Sequence, residues 1–258
     1  MKKTVLFVLL AVTLVATIIL AATFIPKAIE SRKLVIGVTD TSMIVCYKDP
    51  NGDFSGVNCD VISTVAKECG YTVEFKEIVW ADRDQLLEDG EIDCYIDGTA
   101  KLGDQNITTD VFVYSIQTLI YKSALENDNI GLDVAKNYPC AVQKESFNYE
   151  YLLSNSAKDI KEYGSLSDVI MAIKNGTCVI GIVDYGVYLA NIRNNEEYKD
   201  ITSGILTENC GYRLVFSPKS ENKVKKINTA ISNLKENGGI KEVLSNYHSQ
   251  IENSFLIY

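Results

Sequence analysis

The chain has 258 residues, 47% of them hydrophobic, and a formal net charge of −9 at pH 7. That length holds one large domain or two lobes of roughly 100 residues each, with enough apolar side chains for real cores. An acidic chain with no basic stripe argues against nucleic acid as a partner and indicates a solvated surface.

Lys2 and Lys3 precede an uncharged run, Thr4–Pro26. A stretch of about 20 apolar residues can cross a bilayer, and the flanking lysines should stay in the cytoplasm, so the remainder is expected outside it. A cleaved signal has a shorter core, about 7–15 residues, and a small-x-small cleavage site. Here the core is longer and the only weak site lies around Ala21–Thr23. An uncleaved anchor is therefore favoured over a cleaved signal, with Pro26–Arg32 as a tether.

KLVIGV (Lys33–Val38) reads as a buried strand. The DPNGD stretch that follows carries Asn51-Gly52, a hairpin signal; as a calcium loop its glycine is misplaced and no closing glutamate follows. Asn58–Gly70 has the period of an amphipathic helix, with Asn58 or Asp60 as its cap. Tyr71–Trp80 alternates like a strand and ends on the sole tryptophan. GEIDCYIDG (Gly90–Gly98) then gives a helix end, a short apolar strand and Asp97 where the strand stops.

That phrase returns as NGTCVIGIVDYG (Asn175–Gly186), which delivers Asp184. In open α/β sheets, ligands bind beyond the carboxyl ends of strands. Two such tips in two half-chains suggest two lobes, each offering an acid to a shared cleft. Between the tips lie a polar loop, an extended run Ser115–Ala124, a polar excursion Glu126–Asn137 and a second α/β series beginning at Tyr138. In that series Ser165 is the natural cap of helix SLSDVIMAIKNG. A helix through Tyr188–Arg193, an extended run Gly211–Pro218 and two amphipathic helices follow, and the tail carries no clear signal. The simplest packing returns the last helices to the first lobe and pairs Ser115–Ala124 with Cys210–Pro218 as hinge strands.

The seven cysteines lie mostly inside apolar runs and read as small core residues. There is no CxxC and no Cys/His cluster, so no zinc or other metal site is expected; no glycine-rich phosphate loop is visible, and no cofactor is expected. A bridge between Cys140 and Cys178 is left open, since both open runs that should be neighbouring strands.

Read together, LVIGVTD, YKDPNGDFSGVNCDVISTVAKECGYTVEFKEIVW and LLEDGEIDCYIDG resemble the first lobe of the family 3 extracellular solute-binding proteins. SLSDVIMAIKNGTCVIGIVD and INTAISNLKENGGIKEVLSNY are similar to that family's second lobe and closing helices. The resemblance implies an α/β two-lobe clamshell with two hinge strands, of the type II periplasmic-binding-protein kind. Its expected parts are residues 1–32 as signal or anchor, 33–116 as first lobe, 117–212 as second lobe and 213–258 as the return. It also implies an extracytoplasmic receptor, at the cell surface or in the periplasm, that hands a small polar ligand to an ABC transporter permease, and no enzyme.

Carried over position by position, the family's stacking aromatic falls on Trp80 and its amine-binding aspartate on Asp184. A second aromatic is replaced by Ser42, and the arginine that grips an α-carboxylate by Gln105. Two small residues opening that loop become Asp97 and Gly98, and a hydroxyl pair at a helix N-terminus becomes Ser146 and Phe147. A ligand carboxylate without its cation would cost roughly 3–5 kcal/mol, and Lys101 could compensate only as a point charge. The expected ligand is therefore a cation, or a neutral molecule with an amine, rather than an ordinary α-amino acid. Two alternatives stay open: a membrane-tethered sensor or interaction module of the same fold, and a dehydratase-like enzyme with Asp97 and Asp184 as acid and base. The only histidine, His248, reads as a surface residue remote from any nucleophile.

Overall fold

The computed structural model describes residues 33–39, 44–98, 106–128, 130–144, 146–247 and 254–257. The expected membrane segment, His248 and three site candidates, Ser42, Lys101 and Gln105, lie outside these residues. Among the described residues, no helix is long and apolar enough to cross a membrane.

In chain order the first elements are β1 (Lys33–Val38), the hairpin β2 (Tyr47–Lys48) and β3 (Phe54–Ser55), α1 (Val57–Glu68), β4 (Thr72–Glu77), α2 (Arg83–Glu88) and β5 (Cys94–Asp97). Next come β6 (Ile107–Thr108), β7 (Val113–Lys122), β8 (Cys140–Gln143), α3 (Phe147–Ser154), β9 (Ile160–Tyr163), α4 (Leu166–Lys174) and β10 (Ile180–Asp184). The chain finishes with the helical turn α5 (Tyr185–Val187), β11 (Ile201–Phe216), α6 (Glu221–Glu236), α7 (Gly239–Ser245) and β12 (Phe255–Leu256).

The main sheet runs β4-β1-β5-β11-β7-β10-β8-β9. It holds two parallel blocks, β4-β1-β5 and β10-β8-β9, joined through the antiparallel pair β11 and β7. Parallel neighbours need crossover helices, and α1, α2, α3 and α4 supply them. β7 and β11 pair with Ser115 opposite Cys210 and Thr118 opposite Ile205, with an irregularity between Ile205 and Asn209. These are the two strands expected to join the halves, although β11 begins ten residues earlier than the predicted Gly211.

Apolar spacing explains the packing. Val57, Val61, Ile62 and Val65 of α1 are buried against Leu34 and Ile36 of β1, and Ile227 and Leu244 of the last two helices join the same core. Thus the C-terminal helices return to the first block. The second block has its own cores: Val169 and Ile173 of α4 pack with Ile120 and Val183, while Leu152 of α3 packs with Val142 and Ile180.

Several local expectations are corrected. α1 begins at Val57 and neither Asn58 nor Asp60 caps it; Gly56 precedes it and no side-chain cap bond forms. Asn58 is buried, and the Asp60 carboxylate accepts from Tyr247 OH instead. The helix expected through Tyr188–Arg193 begins at Tyr185 and widens into a π-helical turn, Tyr188–Ile192. The tail contributes β12, which pairs with β7. Cys140 and Cys178 are not bonded: the Cys140 sulfur faces the Tyr138 carbonyl at 3.2 Å and the Cys178 sulfur faces Tyr163 OH at 3.7 Å. The register explains this, because Cys140 lies opposite Ile180, two positions beyond Cys178.

Gly56 adopts φ 116°, ψ 168°, a backbone region that side-chain-bearing residues avoid, and a Cβ there would meet the Ile44 oxygen at 2.8 Å. Gly70, at φ 71°, has open space around it. Gly56→Ala is expected to lower unfolding free energy by roughly 3 kcal/mol and Gly70→Ala by about 1 kcal/mol. Urea denaturation measures both, and equal losses would contradict this account.

Candidate functional site

The tips of β5 and β10 open into one cleft of about 410 Å³, lined from both blocks. That volume lies in the range of small-molecule sites, about 300–1,000 Å³. Asp97 and Asp184 both line it, so the fold brings together the two acids that end the repeated phrases.

Asp184 stands where a cap for α5 would stand, yet makes no side-chain cap bond. Its Oδ1 accepts instead from Ser115 Oγ (2.5 Å), Gln117 Nε2 (2.9 Å) and Tyr212 OH (3.3 Å). Two of these donors come from β7 and one from β11, so the carboxylate is bound to both joining strands. Burial pushes its pKa above the ordinary 3.8, while the three hydrogen bonds pull the other way.

Asp97, only 3% exposed, lies opposite Arg213 of β11 in register. The next residue, Gly98, lets the chain approach that strand closely. Its carbonyl accepts from the Cys210 thiol at 2.9 Å, and a Cβ would fall 2.6 Å from that sulfur and 2.8 Å from the Tyr212 ring. Burial, then the Asp184 and Asp97 charges, push the Cys210 thiol well above its ordinary value, and burial followed by Asp184 does the same for the Tyr212 hydroxyl. The two carboxylates thus act on one short stretch of β11.

Trp80 lines the cleft at the start of a 3-10 turn following β4. Arg83 holds it: the guanidinium lies 4.5 Å from the ring centroid, and Nη1 donates to the Trp80 carbonyl at 2.8 Å. The Tyr95 ring meets it edge-on at 5.7 Å, and the Tyr95 hydroxyl donates to Asp84 at 2.9 Å. On the other wall Ser146 caps α3, accepting from the Tyr149 amide at 3.3 Å and donating to the Gln143 carbonyl at 2.7 Å. Its hydroxyl is therefore engaged with backbone, although the residue lines the cleft.

Six further residues at the site were not proposed for it from sequence. Ser115 and Gln117 were legible in principle: two polar side chains on one face of an otherwise apolar strand are costly unless something binds them. Tyr212 and Lys144 gave no such signal. Asn58 and Asn148 differ again. Both line the cleft, are 1% and 9% exposed, and each has an Oδ1 with no hydrogen-bond partner. The Asn148 Nδ2 donates to the Ile182 carbonyl at 3.4 Å, which fixes the orientation of that amide. Among the described residues, no cluster of three or more His, Cys, Asp or Glu is gathered to hold a metal.

A sequence model of the bacterial extracellular solute-binding proteins, family 3, matches residues 34–250. The L-cystine-binding protein TcyA of Bacillus subtilis (strain 168) is 21% identical over 212 residues, covering 81% of this chain and 79% of that protein. Of solved structures, an ancestral arginine-binding protein bound to arginine superposes with TM-score 0.72 at 23% identity, over 84% of this chain and 98% of that one. A histidine kinase sensor domain with similarity to periplasmic binding proteins gives TM-score 0.68 at 17% identity, over 84% and 96%. Two parallel blocks joined by paired strands, a cleft between their tips and a family match over most of its length together place this chain among the bacterial extracellular solute-binding proteins of family 3.

Proposed function

We propose that this solute-binding protein captures a small polar ligand carrying an amine, held by Asp97 and Asp184, and delivers it to an ABC transporter. The observation that carries this reading is the polarity of the cleft. Two carboxylates and two unpartnered amide oxygens, those of Asn58 and Asn148, line it, while Lys144 is the one cation among the described lining residues. Buried acceptors without donors are costly, and an ammonium or guanidinium group supplies donors and countercharge at once. Trp80 adds a ring on which a cation or a flat group can rest. The arginine named by the arginine-bound structure carries an ammonium and a guanidinium, the groups this cleft suits, although its carboxylate remains the part that the cleft disfavours.

In this reading residues 33–116 and 213–258 form one lobe and residues 117–212 the other, as the separate apolar cores support. A ligand touching both lobes favours the closed arrangement by its differential affinity for open and closed forms, and the transporter reads the closed surface. Resemblance to a kinase sensor domain keeps a second reading in view, in which closure signals instead. A permease that the purified, liganded protein stimulates in vesicles supports transport; no stimulation supports the sensor.

Trp80 is the only tryptophan, so its fluorescence reports on the cleft. Titration with arginine, lysine, a linear diamine and glutamate is expected to give saturable changes for the amines and a weak response to glutamate. Asp184→Asn and Asp97→Asn should each weaken amine binding by roughly 10²–10³-fold. Tight binding of glutamate with none of the amines would overturn the reading.

Asp184 also sets a pH dependence. Its folded pKa is raised, so over the interval from about 3.8 to that raised value the folded state binds more protons than the unfolded one. Its contribution to stability therefore falls as pH rises through that interval. Asp184→Asn is expected to remove this slope from melting temperature plotted against pH. An ammonium ligand favours the carboxylate, so amine affinity should weaken on acidification through the same interval, with proton release on binding in calorimetry.

A further inference from the structure

We infer that Cys46 and Cys59 are joined by a disulfide in the mature protein, a covalent link between the segment entering the β2–β3 hairpin and the first turn of α1. The two sulfurs lie 3.0 Å apart. That is inside the roughly 3.5–4.0 Å at which non-bonded carbon atoms rest, close enough for one thiol to donate to the other, and about 1 Å longer than the roughly 2.05 Å of a disulfide bond. The backbone on either side already brackets the pair. The Val57 amide donates to the Ile44 carbonyl at 2.7 Å and the Asn58 amide to the Val45 carbonyl at 3.0 Å, fixing residues 44–46 against the helix start. Gly56 permits that approach, because its missing Cβ would collide with the same carbonyls.

Other cysteines are differently placed. Cys69, Cys140 and Cys210 turn their sulfurs to backbone carbonyls, and Cys178 turns to a tyrosine hydroxyl. The family is extracellular, where disulfides form and persist. Both thiols are buried, Cys46 at 5% and Cys59 at 1% exposure, but only Cys46 lines the cleft, so an oxidant entering the cleft meets Cys46 first. The Cys46 thiolate attacks a small disulfide oxidant, RSSR, forming a mixed disulfide and releasing one thiolate, RS⁻. The Cys59 thiolate then attacks the Cys46 sulfur, releasing the second RS⁻. Two protons and two electrons leave the cysteine pair, and RSSR becomes two RSH. The link would hold the α1 end of the cleft wall, where Asn58 lies.

The test uses the full chain equilibrated with oxidised glutathione. Thiols are blocked under denaturing conditions with one maleimide, disulfides are reduced, and the exposed cysteines are labelled with a second before peptide mass analysis. The second label is expected on Cys46 and Cys59 alone. The first label on both, lasting glutathione adducts, or pairing with other cysteines would overturn the inference. Reductant should lower the melting temperature of the oxidised chain by about 5–10 °C. The double variant Cys46→Ala, Cys59→Ala should lose that response and Cys69→Ala retain it. Labelling of the unsubstituted chain decides the matter even where a variant does not fold.

Discussion

One carboxylate, three donors and two strands govern the centre of this molecule. The Asp184 side chain is drawn deep enough for burial to raise its pKa, yet Ser115 and Gln117 from β7 and Tyr212 from β11 all donate to the same oxygen. A charge taken from water without such partners would destabilise the fold severely. With them, the tip of the second parallel block is bound to both strands that connect it to the first. Any change in how those strands lie must act on that carboxylate, and any cation reaching the carboxylate must act on the strands.

At the opposite tip the chain makes a close approach to β11. Gly98 brings its carbonyl within 2.9 Å of the Cys210 thiol, and this contact places the chain beyond Asp97 over the same stretch of β11 that carries Tyr212. The two acids end strands that flank the central β11–β7 pair, one from each parallel block, and both line the cleft. A binding protein gains from this geometry, because a ligand that neutralises both acids must touch both halves. Asn58 and Asn148, one on each wall, leave an acceptor without a donor, where buried polar groups are ordinarily paired.

Much of this was legible along the chain. The period of α1, the capping serine of α4, the hairpin at Asn51-Gly52 and the two strand-to-aspartate phrases are local patterns, and local patterns survive being read one segment at a time. Ser165 does accept from the Asp168 amide, and Tyr47 pairs with Ser55 across the turn. What failed was also local in form but tertiary in cause. Asn58 has the chemistry of a cap, yet Gly56 lets the helix begin at Val57, so Asn58 falls inside it and turns into the cleft wall. The tail shows no periodicity because two residues suffice to pair Phe255 with Ser115 once β7 offers an edge.

By itself the amino-acid sequence determined the alternation of strands and helices, the positions of Asp97 and Asp184 at strand ends, and the presence of one tryptophan beside them. These follow from hydrophobic period and from residues that start and stop elements, both short-range properties. Only the tertiary structure decided which polar groups share the cleft: that Ser115, Gln117 and Tyr212 converge on Asp184, that Ser146 gives its hydroxyl to backbone, and that Cys46 lies against Cys59. Such pairings depend on strand register and on the crossing of distant segments, where a shift of one residue turns every side chain to the other face.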